Sequence, residues 1–514
     1  MKKIKATFQT LIFFALVLFL LGSLSPILEH KESSVMLDPF LETAQEHDVL
    51  FLGDSQVRAS ILPLELYHKY GLTSYNLASS NCRLSMSYWK LMNALDYMTP
   101  KLVMLSVTDV ERPELTHDNS VRLHEAYDAF PLTLTKVRTI FELTDQDGTD
   151  RDGASYSDVR MELLFPLLKY HARWKELTKE DIHPVFNTQK GAQPLVHVSD
   201  PNPDTQLADS DERLPEEGYG FAYLRKIIEE CQSRDIPIVL YQPPYPINPN
   251  VHKGTHTCTA IAEEYGIEML DFPAMDRVVD YYTDCADPGS HLNFSGAYKL
   301  TDFLGRYMTE HYDLPDRRGD TAYAHWNDAW NAYVDEKIRV IAEDADSLRS
   351  RLTLLHDENF NVILTVRPGF DYSAGNVKGA LQNIARPHVF GDDDLVSADL
   401  KPLDGLNDAA DFNQGYMLII DRDAGEDYDA IHEFYGISEQ EFETSFGYVF
   451  CRMDGEWIDL SLTQDDTETY YFDTWEDQDQ DIRLIIIDRR TGKPALSMAF
   501  SRGEEKAETE EIPL

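Results

Sequence analysis

Between Asp48 and Val107 the chain alternates short, unbroken apolar runs with segments of helical periodicity, and this alternation narrows its fold more than any other feature. Val49-Leu50-Phe51-Leu52 reads as a strand, 62–70 as a helix, 74–77 as a second strand, 84–98 as a helix and 101–107 as a third strand. A strand that is apolar on both faces has no solvent side, the condition met inside a parallel sheet covered by helices above and below. The segment therefore predicts βαβαβ and an α/β fold with a doubly wound parallel sheet. The rhythm lapses between about Asp109 and Gly220, where one amphipathic segment, 161–177, lies among polar loops such as Asn202-Pro203-Asp204. Insertions of this kind after a strand's carboxyl end are natural places for lids and substrate-binding elements. The rhythm then resumes with helix 221–231, strand 236–240, helix 257–265, strand 267–270 and a last helix from Ser295 to about Tyr312.

The N-terminus carries a different signal. Lys2, Lys3 and Lys5 precede an almost unbroken apolar run from Leu11 to Leu28, which ends at Glu29, His30 and Lys31. About twenty apolar residues at roughly 1.5 Å each span the ~30 Å hydrocarbon core of a bilayer. Lysines before the run and acids after it favour an N-terminus held inside, and no small-x-small cleavage site follows directly. Residues 1–30 are therefore predicted to be a transmembrane signal anchor, with the protein single-pass in the cell membrane and the bulk of the chain extracytoplasmic. Towards the other end, Pro315 to Asp320 looks like a linker. It divides the remainder into an α/β domain, 31–315, and a C-terminal α+β domain, 316–514. The latter opens on a long helix, roughly 330–355. Two hairpin signals follow: apolar runs flank Asp454-Gly455, and others flank Arg490-Thr491-Gly492. Nothing in this domain points to chemistry.

Across 514 residues, 46 Lys+Arg face 90 Asp+Glu, a formal net charge of −44. Binding a phosphate backbone relies on cationic side chains that displace counterions, and no basic stripe follows the first few residues, so nucleic acid is excluded as the main partner. With 43% hydrophobic and 11% aromatic residues the chain can fill packed cores, and the charge marks acidic surfaces rather than disorder. Five cysteines, widely spaced and without a CxxC pair, suggest neither a disulfide scaffold nor a zinc module.

Two short segments carry candidate chemistry. Leu52-Gly53-Asp54-Ser55 stands at the end of the first strand, and ligands of a parallel sheet bind outside the carboxyl ends of its strands, so Ser55 sits where chemistry is done. A serine hydroxyl is a weak nucleophile and needs a base, usually a histidine oriented by an acid. Asp284-Cys285-Ala286-Asp287-Pro288-Gly289-Ser290-His291-Leu292-Asn293 occupies the loop before the last helix of the same α/β region, and His291 has acids a few residues upstream.

Together these residues resemble the SGNH (GDSL-like) hydrolase superfamily over about 45–312. Gly53-Asp54-Ser55 looks like its first block, and Asp287 with His291-Leu292-Asn293 like its last. The resemblance implies Ser55 as nucleophile and His291 as base. The family's acid lies three residues before the histidine, which here is Pro288, so Asp287 is taken as the acid with Asp284 behind it. Tyr75-Asn76-Leu77-Ala78-Ser79, Ser85-Met86-Ser87-Tyr88-Trp89 and the stretch 164–174 are similar to bacterial envelope SGNH-like proteins of the D-alanyl-lipoteichoic acid biosynthesis protein family. Proteins of that kind work beside membrane-bound O-acyltransferases. The implied activity is an esterase or acyltransferase acting on acyl esters of a cell-envelope carbohydrate or polymer. A multi-pass membrane O-acyltransferase is the implied partner, and no metal or organic cofactor is needed. The alternative is a non-catalytic binding protein beside such an acyltransferase. Where the family has a second-block glycine, this chain has Ala78-Ser79-Ser80-Asn81-Cys82, and Thr108-Asp109-Val110 stands where its asparagine would be. Ser79, Asn81 and Asp109 are thus the candidates for oxyanion or substrate contacts. The charge of −44 would repel an anionic polymer, which favours a neutral glycan, a neutralising cation layer or a protein partner.

Other candidates weigh less. His252-Lys253-Gly254-Thr255-His256 has metal-like i, i+4 spacing, but no third ligand is evident beyond Cys258 and Gly254 argues against a helix, so no metal site is expected. The stretch 145–153 looks like part of a calcium loop without its closing glutamate and reads as a solvated acidic loop. His171 and Arg173 beside Trp174 fit either contact with an anionic substrate or one face of an amphipathic helix.

Overall fold

The computed structural model describes residues 20–199, 211–275, 278–281, 283–288, 291–345, 347–370, 413–424, 431–454, 457–464, 468–472, 480–501 and 507–510, with the single positions 9, 12, 13, 16, 406 and 408–410. The chain divides into two compact units. The first is 1–193 with 204–276 and 305–326; the second is 194–203 with 277–304 and 327–514.

The first unit is built on a five-stranded, all-parallel sheet of β1 (Val49–Leu52), β2 (Ser74–Asn76), β3 (Leu102–Ser106), β4 (Ile238–Gln242) and β5 (Glu268–Asp271), in the order β2-β1-β3-β4-β5. Every residue of β1 to β4 is buried, as continuous apolar runs require, while the edge strand β5 is partly exposed. Val49 lies between Ser74 on one side and Leu102 on the other. The chain runs outward from β1 to β2 and then crosses back to β3. The loops leaving β1 and β3 therefore diverge, and a crevice at the carboxyl edge is the place for a ligand.

The helix Pro249–Tyr265 lies between β4 and β5 in the chain, capped by Asn248 at its start and closed by Gly266 at φ 65°. Gly254 is inside it, contrary to the expectation drawn from glycine's poor helix propensity. A Cβ at Gly254 would come within 3.3 Å of Val110 Cγ1, so close packing against the loop after β3 outweighs propensity here.

The second unit holds two antiparallel sheets. Strands β6 (Phe360–Val366), β7 (Tyr416–Ile420), β8 (Ile431–Tyr435), β13 (Gln480–Asp488), β14 (Lys493–Ser501) and β15 (Ala507–Glu510) form one, in the order β15-β14-β13-β6-β7-β8. The other is β12-β11-β10-β9, from β9 (Glu439–Thr444), β10 (Gly447–Met453), β11 (Ile458–Gln464) and β12 (Glu468–Tyr471). Ile363, Ile419, Ile485 and Ile487 of the first sheet share a core with Val449, Cys451, Leu460 and Leu462 of the second, alternate residues of each strand facing inward. Both expected hairpins are present, Met453 pairing with Ile458 and Asp488 with Lys493. The long helix runs from Ala324 to Asp344, starting earlier and ending sooner than its periodicity predicts.

The expected transmembrane anchor is overturned. Among the described residues no helix is long and apolar enough to cross a membrane. Within the 11–28 run, residues 20–28 are helical. Charged residues follow at once, and the helix Lys31–Thr43 packs Leu37 and Phe40 into the core of the first unit. Most of 1–19 lies outside the described residues. The single-pass cell-membrane placement, with an extracytoplasmic bulk, falls with the anchor.

Two further segments differ from their expectation. Pro166 splits the amphipathic stretch 161–177, because proline lacks an N–H and pushes the residue before it out of helical geometry; the helix Tyr156–Leu164 ends there and Leu167–Tyr170 starts anew. Beyond it, Arg173 donates to the Leu28 carbonyl at 2.7 Å and to Asp181 at 2.8 Å, so its guanidinium ties the fold. The acidic loop 145–153 is exposed at most positions, as expected of a solvated loop, with Asp150 alone buried and accepting from Ser120 and from the Asp152 and Ala154 amides. The segment read as a linker is itself anchored, since Arg317 forks onto both oxygens of Asp48 at 2.8 and 2.9 Å.

Candidate active site

β1 delivers Ser55 to the carboxyl edge of the parallel sheet. The chain leaves β1 through Gly53, where a Cβ would meet Val57 Cγ2 at 2.4 Å and Ser106 Cβ at 2.9 Å, so only glycine permits this close approach. Asp54 then caps the helix Ser55–Ser60, its Oδ1 accepting from Gln56 N–H at 3.0 Å. Asp54 thus shapes the turn, and Ser55, half-buried at the first helical position, is the group it presents.

A polar cluster not anticipated from the sequence stands at the same edge. Thr108 Oγ1 donates to Gln56 Oε1 at 3.0 Å and lies 2.8 Å from Ser106 Oγ. Gln242 Nε2 donates to the Tyr245 hydroxyl at 3.0 Å. Burial pushes the Tyr245 phenol far above its usual range, with the charge of Asp54 adding to the effect. Gln56 also bonds to the Tyr245 hydroxyl, so its side chain is held from both sides, one residue from Ser55. Two signals were available: Gln56 follows the candidate nucleophile directly, and Thr108 follows the third strand at the carboxyl edge of the sheet.

The oxyanion candidates are placed as follows. Ser79 N–H donates to the Gly53 carbonyl at 3.3 Å, and its buried side chain lines a cleft with Arg58, Lys90 and Glu125. Asn81 is exposed in a turn with φ 50°. Asp109, also left-handed at φ 62°, engages Arg83 and Arg112, and its carboxylate accepts hydrogen bonds rather than donating them. Cys82 is buried, which pushes its thiol pKa up, and all five cysteines are free and buried.

The histidine lies in a tightly tied loop of the second unit. A short antiparallel bridge pairs Cys285 with Leu292, Ala286 N–H donates to the His291 carbonyl at 2.8 Å, and Asn293 N–H to the Asp284 carbonyl at 2.9 Å. Asn293, fully buried, adds side-chain bonds to the Thr283 carbonyl at 2.8 Å and the His197 carbonyl at 3.1 Å. Inside this frame Asp287 Oδ2 lies 2.6 Å from His291 Nδ1, and Asp287 Oδ1 accepts the His291 N–H at 3.2 Å. An imidazole that gives its Nδ1 proton to a carboxylate keeps its lone pair on Nε2, the state a general base needs. Asp284 is elsewhere engaged: Lys299 Nζ sits 2.6 and 2.7 Å from its two oxygens.

No protein-family model matches the chain, and no curated protein matches it. The functional reading therefore rests on residues and their geometry. Asp287 and His291 are brought together in the second unit; Ser55 belongs to the first, with Gln56, Thr108 and Tyr245 beside it at the sheet edge.

Proposed function

We propose that the chain is a serine-dependent acyl-transfer enzyme of SGNH type, an esterase or O-acyltransferase acting on acyl esters of a carbohydrate or polymer. The observation that carries the reading is the 2.6 Å contact of Asp287 Oδ2 with His291 Nδ1, which fixes the tautomer and orientation of the imidazole. In this reading Ser55 Oγ attacks the ester carbonyl while His291 Nε2 takes its proton. The tetrahedral intermediate collapses, the alcohol leaves with that proton, and the acyl group stays on Ser55 until water or a hydroxyl of the acceptor repeats the steps in reverse. Gln56, held by Thr108, takes the side-chain donor role that the family gives to asparagine. The negative net charge supports a neutral glycan over an anionic polymer. The envelope setting rested on the anchor and is not retained.

The test is labelling of the full chain by a fluorophosphonate probe, beside Ser55→Ala and His291→Ala. Labelling of the wild type that is lost in both variants is the expected result. A folded wild type that takes no label would sink the enzyme reading and favour a non-catalytic binding protein.

A further inference from the structure

A second cluster lies on the β5 side of the same sheet. His252 and His256, one helical turn apart on Pro249–Tyr265, share a face, with ring centroids 4.2 Å apart. The next strand ends at Asp271, and its carboxylate completes the group: one ligand atom from each of the three residues lies within 4.8 Å of the others. Among the described residues this is the only group of three or more His, Cys, Asp or Glu side chains that converges so closely.

Three details favour a cation over a simple ion pair. Asp271 Oδ2 lies 3.2 Å from His252 Nε2, but Oδ1 is buried without a hydrogen-bond partner among the described residues, a costly state for a carboxylate oxygen that a metal ion would relieve. His256 Nδ1 sits 3.1 Å from the Glu212 carbonyl; it must donate there, so the neutral ring keeps its lone pair on Nε2. A backbone carbonyl behind an imidazole is the arrangement that orients metal-binding histidines. Finally, the ligands come from a helix face and a strand end. Those elements fix the backbone, so closing to the separations of about 3.4 Å that a tetrahedral ion with ~2.1 Å bonds demands is a matter of side-chain rotation.

We propose that His252, His256 and Asp271 bind one first-row divalent transition-metal ion, with zinc strongly preferred over magnesium or calcium. Two imidazoles and one carboxylate suit such an ion, whereas the hard cations need oxygen-rich ligand sets. His256 and Asp271 are half-buried, which leaves a fourth position for solvent. Cys258, the ligand suggested by spacing alone, is fully buried and stands outside the group.

Isothermal titration of the full chain, stripped by a chelator, with zinc chloride alone should show one ion per chain. Cobalt in its place should give the visible absorption of a tetrahedral or five-coordinate centre. His256→Ala, a half-buried position, and Asp271→Asn should each weaken zinc binding by about 100-fold or more while the circular dichroism of the fold is kept. Magnesium should neither bind nor compete. Zinc binding of equal strength in wild type and His256→Ala, or no stoichiometric zinc binding by the wild type, would overturn the site.

Discussion

Asp284 and Asp287 stand three residues apart in one loop and have opposite surroundings. Asp284 is 0% exposed and accepts from Lys299 Nζ at 2.6 and 2.7 Å, Ser295 Oγ at 2.8 Å, Thr283 Oγ1 at 3.2 Å and Asp280 N–H at 2.8 Å. Asp287 is 37% exposed and faces the ring of His291. Both lie just upstream of the histidine, so nearness in sequence does not separate them. Their surroundings do. A carboxylate whose lone pairs are engaged in the interior belongs to the frame of the loop, whereas one that meets a partly exposed imidazole can answer the positive charge that would form there in the proposed reaction.

The two acids should therefore fail in different ways. Asp284→Ala leaves Lys299 buried without its counter-charge. Burial already holds that amine below its usual pKa, and Asp284 is the main group opposing the shift. The variant should lose about 3–5 kcal/mol of stability, read from the urea midpoint of the full chain. A loss under about 1 kcal/mol would move Asp284 out of the frame. Asp287→Asn should instead leave the midpoint almost unchanged, since half-exposed ion pairs are worth only about 0–1 kcal/mol. Its effect belongs in turnover of an activated ester, a fall on the order of 10²-fold in kcat with KM little altered, smaller than for a fully buried triad acid because solvent also screens the imidazolium. Unchanged kcat would take the orienting role away from Asp287.

How far each feature was legible follows the range of the interactions that decide it. β1 and β3 announce themselves because covered parallel strands are apolar at every position, and Gly53 because a strand must leave the sheet through a tight turn. The contact of Asp287 with His291 spans four residues and was within reach of a reading that put both in one loop. The link from Thr108 to Gln56 spans 52 residues and could not be read locally. The same holds for Asp271, which meets His252 from 19 residues away, and for Gly254, whose helix survives because Val110 packs on it. The anchor differs again: hydropathy counts apolar residues, whereas among the described residues no helix is both long and apolar enough to cross a membrane.

Lys90 poses the question of Asp284 with the acid removed. It is 3% exposed on the helix Leu84–Ala94, and the hydrogen bond its Nζ makes is to the Leu77 carbonyl at 2.9 Å. Burial lowers its pKa from 10.5 to about 8, with Cys82 and Glu125 opposing the shift only in part. The folded protein therefore releases this proton from about pH 8, while the unfolded chain holds it to about 10.5. Between those values the unfolded state binds more protons, so stability rises with pH across that window, and below it the full cost of a buried charge is present. The difference, 10.5 − 8 = 2.5, sets an upper limit of roughly 3 kcal/mol, from which the lost bond to Leu77 subtracts about 1. Lys90→Met should accordingly be more stable than wild type at pH 7, by about 1–2 kcal/mol, and the advantage should shrink as pH approaches 10.5. Paired urea midpoints at neutral and alkaline pH cancel the groups common to both proteins. A Lys90→Met variant that is less stable at neutral pH would show that the amine has a counter-charge in the Glu125 cleft, and Lys90 would then belong with Lys299.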